Sequence, residues 1–364
     1  MDSFAIRSDQ VGSQQRPPEL LDAREKFRTG QVTRGELTEV EDRAILDSLR
    51  RQAAVGMAVV SDGEFRRDAW MTDVSDALDG FVDEYPVRAT TLPDGRTVMV
   101  EYHAKALKGK LRARRRIAQH EAGFLAEHAT TPFKITLPSP NVIGLSYAEG
   151  LEPPYASRAE LLDDLVPIMA AEVHALAEEG VPYIQLDQTI GRFASDDARA
   201  QIAVAGGDAE AELAMEIAAD NAVLASLAGT GVVTGKHLCR GSRTVNRGEG
   251  GYDWLAERLF NALEVDRFLL EYDSDAVGGF EPLRFIPKGK VAVLGLVTSK
   301  YPELESQDEL MAKIEAASKF CSIDQLAISP QCGFGGSAEN NFMSVDEQFR
   351  KLENMTEVAR RVWG

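Results

Sequence analysis

Eight short runs rich in apolar and β-branched residues alternate with long one-sided helical patterns from one end of the chain to the other, and this alternation constrains the fold more than any other feature. The runs lie at 5–13, 58–64, 133–137, 183–187, 232–239, 268–272, 291–298 and 326–329. Between them, segments such as 36–55, 159–179, 209–227 and 308–319 place apolar residues three and four apart, the spacing that gives a helix one buried face. Strands alternating with helices are predicted to form parallel βα units, and eight such units can close into a (β/α)8 barrel. The rival is an open doubly wound sheet, which ordinarily carries a glycine-rich phosphate turn after its first strand, and no GxGxxG follows residue 13. The expected class is therefore α/β, a TIM barrel forming one domain over residues 1–364.

One stretch breaks the rhythm. Residues 67–131 are too long for a βα connection and read as an insertion after the second strand, with a turn at LPDGR, 92–96. Inside it, KALKGKLRARRR at 105–116 is strongly basic and is expected to be a solvated helix face. The competing reading is a surface for an anionic cosubstrate or for a neighbouring subunit of a homo-oligomer.

Composition removes several classes of function. With 364 residues, 44% of them hydrophobic, the chain can bury a large core, while a formal net charge of -18 opposes binding to a phosphate backbone. No apolar run approaches the roughly 20 residues of a membrane span, and residues 1–15 lack the basic start and apolar stretch of a signal peptide, so a cytoplasmic protein is expected. Three cysteines are too few for a disulfide framework and remain available for metal or chemistry. Cys321, in KFCSIDQL, reads as ordinary core.

Each predicted strand ends in polar or turn-forming residues: DQVGS, SDGEF, LPSP, QLDQT, GKHLC, EYDSD, TSK and SPQCG. In a barrel these ends share one face, where an active site is built. His237 and Cys239 stand two apart at the end of the fifth run, so their side chains point the same way. Glu271 ends the sixth run and Cys332 follows the eighth, so the four meet only if the chain closes into a barrel. One imidazole, two thiolates and a carboxylate suit Zn2+. Alone, the His-x-Cys pair is a weak signal, since such a pair is more often part of a core.

At these residues the sequence resembles the cobalamin-independent methionine synthase family, specifically its short members built from the C-terminal catalytic barrel alone. The resemblance runs through QVGSQQRP, VVSDGEFRR, YIQLDQ, KHLCRG, FLLEYDSD and ISPQCGFG, in the family's order. It implies zinc held by His237, Cys239, Glu271 and Cys332, and a thiol, homocysteine, methylated at the metal as a thiolate by a methylfolate to give methionine. Glu271 is then the ligand that yields to the substrate sulfur. The resemblance further implies that Ser13 and the backbone of the VGS turn hold the substrate carboxylate, while Glu64 and Asp187 hold its ammonium group. Gln10 stands where the short relatives carry histidine and is counted among the substrate-binding candidates. Lys300 is the nearest candidate proton donor in the loop where full-length members carry histidine, so Glu271, Asp187 and Lys300 form the candidate catalytic set. Asp187-Gln188-Thr189 replaces the family's Asp-Glu-Pro and removes a carboxylate. The alkyl donor is left open between methylfolate, methylcobalamin and others. Two further readings are alkyl transfer to another small thiol, such as epoxide opening by coenzyme M, and a zinc-stabilised barrel that binds without catalysing.

Overall fold

Residues 135–330 supply a six-stranded parallel sheet whose two edges are joined by two extended segments, near residues 8 and 60, that close the ring. The computed structural model describes all of the chain except residues 85–86, 92–96, 102–104, 149–153, 241–249 and 337–342. The predicted turn at 92–96 lies outside the described residues. In chain order the strands are β1 (Leu78–Val82), β2 (Val87–Thr91), β3 (Thr97–Glu101), β4 (Ala106–Ala113), β5 (Ile135–Pro138), β6 (Tyr183–Thr189), β7 (Val233–Cys239), β8 (Arg267–Glu271), β9 (Val291–Val297) and β10 (Leu326–Pro330). The sheet runs β5-β6-β7-β8-β9-β10 with every pair parallel. Helices Arg34–Ala54, Arg158–Glu178, Ala209–Leu224, Gln307–Ala317 and Val345–Trp363 include those expected from the one-sided patterns. All seven positions of β7 and of β9 are buried, as parallel strands covered on both faces must be.

The first and second predicted strands require a correction. Residues 5–13 and 58–64 are extended but form no regular strand; each makes a single parallel bridge, Ser8 to Ile328 and Val60 to Phe133. Backbone bonds run from Asp9 N to Ile328 O at 2.9 Å, from Ile328 N to Arg7 O at 2.9 Å and from Lys134 N to Val60 O at 2.9 Å. Between the two segments themselves the ladder is mostly replaced by side chains. Ser8 Oγ accepts from Ala58 N (3.2 Å), Gln10 Nε2 donates to Val59 O (3.0 Å), and Ser61 Oγ donates to Gly12 O (2.6 Å). Gln52, on helix Arg34–Ala54, ties the seam from outside, accepting from Gln10 Nε2 at 2.5 Å and from Ser61 N at 3.0 Å while donating to Ser61 O at 2.8 Å. A ring closed in this way has no open sheet edge, which separates it from the doubly wound rival.

The strands divide their side chains between two environments. Ile184, Leu186, Leu238, Leu270 and Leu294 join the large core under the helices, whereas Val11, Leu269, Val291, Val293 and Ala327 form a small cluster inside the ring. The ring also encloses a polar network. Asp9 accepts from Lys134 Nζ (2.7 Å), Arg267 Nε (3.1 Å) and Tyr183 OH (3.2 Å), and Lys134 Nζ also donates to Gln185 Oε1 (2.7 Å). Burial opposes the charge on Asp9, but the adjacent Lys134 and Arg267 prevail and hold its carboxyl below the usual range.

The basic run is not a helix. Residues 106–113 are β4, antiparallel to β1, with Leu78 opposite Ala113 and Val82 opposite Ala106. Four of its charges are met by acidic neighbours: Lys105 by Asp76 (3.1 Å) and Asp83 (2.5 Å), Lys108 by Glu84, Lys110 by Glu160 (2.8 Å), and Arg116 by Glu172 (2.6 Å) and Glu179 (2.9 Å). Helices Thr72–Ala77 and Gln119–His128 and the antiparallel pair β2–β3 complete this region. Among the described residues no helix is long and apolar enough to cross a membrane.

Candidate metal and thiol site

The alternation of β7 sends His237 and Cys239 into the ring while Lys236, between two inward positions, turns outward to helix Ala209–Leu224 and pairs with Asp220 at 2.5 Å. Cys332 arrives from the turn after β10, fixed by Gln331 N donating to Val297 O (2.8 Å) and by Gln331 Oε1 accepting from Ser299 N (2.7 Å). The result joins donors from distant parts of the chain. One ligand atom each from His237, Cys239 and Cys332 lie within 4.8 Å of one another, and the two sulfurs are 3.5 Å apart. Glu271 ends β8 beside them, its Oε2 4.0 Å from Cys239 Sγ.

His237 is 3% exposed, yet neither ring nitrogen has a hydrogen-bond partner among the described residues. A buried imidazole without partners is costly, and one set against two thiols and a carboxylate suits a borderline divalent cation. Without a cation the thiols oppose each other's ionisation: contact with Cys239, burial and the nearby carboxylates push the Cys332 thiol well up. Burial, then the charge of Cys239, raises the Glu271 carboxyl, with Lys300 opposing. The donor set therefore fits a metal, and zinc in particular by softness. Cys321 lies elsewhere, in the core, its thiol pushed up to about 11 by burial.

Glu271 is also held by groups that are not metal donors. Its Oε2 accepts from Arg240 N (2.9 Å), and its Oε1 accepts from Lys300 Nζ (2.9 Å), which Asp273 in turn holds at 3.1 and 3.3 Å. Tyr252, not singled out from the sequence, clamps the strand ends below: Glu271 N donates to its hydroxyl (2.7 Å), and that hydroxyl donates to Leu238 O (2.9 Å).

The second cluster is built where the seam segments turn. Glu64 is the one non-glycine residue with positive φ among the described residues, at 58°, directly after Gly63 at 74°. A bulky residue in the left-handed region is strained, and such strain commonly marks a functional position. Glu64 Oε1 accepts from Thr136 Oγ1 (2.8 Å) and lies 3.8 Å from Arg67, whereas the buried Oε2 has no hydrogen-bond partner among the described residues. Burial raises its carboxyl to about 7, with the charge of Asp187 adding and that of Arg67 opposing. Gly12 permits this approach, since a Cβ there would lie 2.7 Å from Thr136 Cγ2 and 2.9 Å from Glu64 Oε1. Asp187, opposite His237 in the β6–β7 register, accepts from Gln185 Nε2 at 2.7 Å and is raised by burial, with His237 opposing. Ser13 abuts the Cys332 turn: a Cβ on Gly333 would fall 1.9 Å from Ser13 Oγ, and Ser13 O accepts from Phe334 N at 2.9 Å.

Two sequence expectations change their meaning here. Gln10 has its amide taken up by the seam, with Gln14 Nε2 donating to its Oε1 at 3.2 Å in addition to the contacts with Gln52 and Val59. Gln188 does not empty a place in the site. It follows the inward Asp187, so it points outward and donates to Glu216, which Arg158 (3.0 Å) and Arg192 (3.2 Å) also hold. A glutamate at 188 would set two buried carboxylates together, so glutamine is the compatible residue. Thr136 and Gln185, on inward strand positions, and Arg67, in the turn after Glu64, escaped the sequence reading because buried polar residues carry no local signature.

Comparison with known proteins gives the family and supports the fold. Residues 146–361 match the family model described as cobalamin-independent synthase, catalytic domain. The uncharacterized protein YxjH of Bacillus subtilis (strain 168) is 35% identical over 98% of this chain and 95% of its own length. The methionine synthase of Pyrococcus abyssi (strain GE5 / Orsay) is 25% identical over 97% of this chain and 91% of its own. Among solved structures, a putative vitamin-B12-independent methionine synthase from Listeria monocytogenes superposes with a TM-score of 0.74 at 28% identity, covering 98% of each chain. A B12-independent methionine synthase from Shewanella sp. W3-18-1 gives a TM-score of 0.77 at 21% identity over 98% of this chain and 97% of that one, a likeness of fold. With more than half of its length matched by the family model, and the strand ends that carry His237, Cys239, Glu271 and Cys332 inside that match, this chain belongs to the cobalamin-independent synthase catalytic-domain family.

Proposed function

We propose that this protein is a zinc-dependent methyltransferase that converts homocysteine to methionine. The observation that carries the reading is the buried, unpartnered His237 ring beside two thiols 3.5 Å apart. The methyltransferase role itself follows from the family and its methionine synthase relatives.

In this reading His237, Cys239 and Cys332 would hold the zinc, and Glu271 would supply a fourth donor that a substrate thiol could replace. Bound zinc supplies the positive charge that keeps a thiol deprotonated at neutral pH. The thiolates of Cys239 and Cys332 would neutralise that charge, so that a substrate sulfur held there would keep its nucleophilic electron density. Glu64 and Asp187 orient the amino acid: the unpartnered Oε2 of Glu64 is an acceptor waiting for a donor, and an ammonium group provides one. Ser13, beside Gly333, faces the substrate carboxylate. The cluster needs a reducing compartment such as the cytoplasm, because sulfurs this close would otherwise be prone to oxidise.

The test is product analysis. The purified protein should contain about one zinc per chain and should form methionine from homocysteine when supplied with methylfolate, methylcobalamin or S-methylmethionine in turn. Magnesium or no metal in the protein would overturn the zinc assignment. Alkylation of a different thiol, with homocysteine inert, would overturn the substrate.

A further inference from the structure

Four potential donors approach one another, but they are not equivalent. His237, Cys239 and Cys332 form the compact triad, and Glu271 stands outside the 4.8 Å grouping with its two oxygens already engaged by Arg240 N and Lys300 Nζ. Lys300 is itself fixed, because both oxygens of Asp273 lie within 3.3 Å of its Nζ, and its side chain is only 20% exposed. A partly buried ammonium 2.9 Å from a carboxylate competes with any cation for that carboxylate.

We infer that Lys300 is a positioning residue that holds Glu271 by an ion pair and thereby sets how readily this carboxylate gives up the fourth metal position to the substrate thiol. The inference rests on the metal reading proposed above and assigns Lys300 a task distinct from proton donation. Three consequences follow. Removing the ammonium frees Glu271 to bind the metal more firmly. The metal is then held more tightly, and a thiol must displace a stronger competitor. Each effect is expected to pass through Glu271, which stands between the Lys300 ammonium (2.9 Å) and Cys239 Sγ (4.0 Å).

The experiment uses the full chain, freed of metal and loaded with Co2+, whose absorption reports bound sulfur. Metal affinity is read by competition with a chelator, and thiol binding by the charge-transfer band as L-homocysteine is added. Lys300→Met should bind Co2+ about fivefold more tightly and require about fivefold more L-homocysteine for half-saturation, the range for one partly exposed ion pair. Lys300→Arg should stay close to the parent, and Lys300→Gln carries the same expectation as Lys300→Met should the latter not fold. In a Glu271→Gln background, Lys300→Met should change neither quantity, since the pair it breaks is already gone. Unchanged affinities in Lys300→Met, or an equal shift in the Glu271→Gln background, would overturn the inference while leaving the metal site standing. A parent protein that binds no Co2+ through the triad would overturn the metal reading and the inference together.

Discussion

The two halves of the ring are built on different principles. From β6 to β10 the strands pair by regular parallel ladders, and their ends deliver His237, Cys239, Glu271 and Cys332. At the seam the ladder gives way to side chains of Ser8, Gln10, Ser61 and Gln52, and the turns there deliver Ser13 and Glu64. A ladder fixes side-chain direction by alternation, which suits donors that must converge on a point. A side-chain seam frees the backbone for Gly12, Gly63 and the left-handed Glu64, which suits a pocket shaped around an amino acid. The candidate metal donors thus sit on the ladder, while Ser13 and Glu64 sit on the seam and Asp187 faces them from β6.

The largest effects should come from breaking the ladder half's donors. Cys239→Ser or Cys332→Ser should weaken zinc binding by about a hundredfold or more while the fold persists, as elemental analysis after dialysis and circular dichroism would show. Loss of folding in both would mean that the metal braces the barrel instead. Next comes Glu64→Gln, which should raise the homocysteine concentration for half-saturation by about 10- to 100-fold and leave zinc content intact. The same variant carries a pH signature. Because burial raises the folded carboxyl to about 7 from an ordinary 4.5, the folded chain keeps a proton that the unfolded chain has lost. That stability is fully present below the unfolded value and disappears as pH rises through about 7. Glu64→Gln should therefore raise the unfolding free energy at pH 8 by on the order of 3 kcal/mol, seen as a higher Tm, and change little at pH 4; an equal gain at both would contradict the assigned burial.

A smaller effect tests the seam. Gln52→Ala removes the amide that joins Gln10 to Ser61 and should cost about 1–3 kcal/mol of stability without loss of zinc, measured by denaturant midpoint and metal content. Coupled loss of both would show that the halves are not independent. Smallest of all is Lys108→Ala on β4: its partner Glu84 is exposed, and the change should stay within about 0.5 kcal/mol and leave methyl transfer untouched. A marked fall in donor affinity would restore the basic run as a docking surface.

Legibility in the sequence followed the same division. The six regular strands lie within two residues of their predicted bounds, because parallel strands buried on both faces read as unbroken apolar runs and helices cover them in alternation. The clustering of His237, Cys239 and Cys332 was readable for a related reason: strand ends on one barrel face are fixed by topology, and histidine and cysteine are rare enough to stand out. The seam was misread as two ordinary strands because residues 5–13 and 58–64 have strand-like composition, while the replacement of their ladder by side chains depends on Gln52, a helix residue far from one of them in sequence. The basic run was misread because its alternation of lysine with apolar residues becomes decisive only once β1 lies beside it.

What the sequence determined by itself is the βα alternation, the strand-end chemistry and the four candidate donors, since each is written in local patterns of polarity and residue type. The tertiary structure decided the rest: that Gln188 faces Glu216 and not the site, that Gln10 closes the ring, that Glu64 adopts φ 58°, and that Lys300 holds Glu271. These are relations between residues distant in the chain. Their energies come from burial and from pairing of charges, which exist only after the ring has closed.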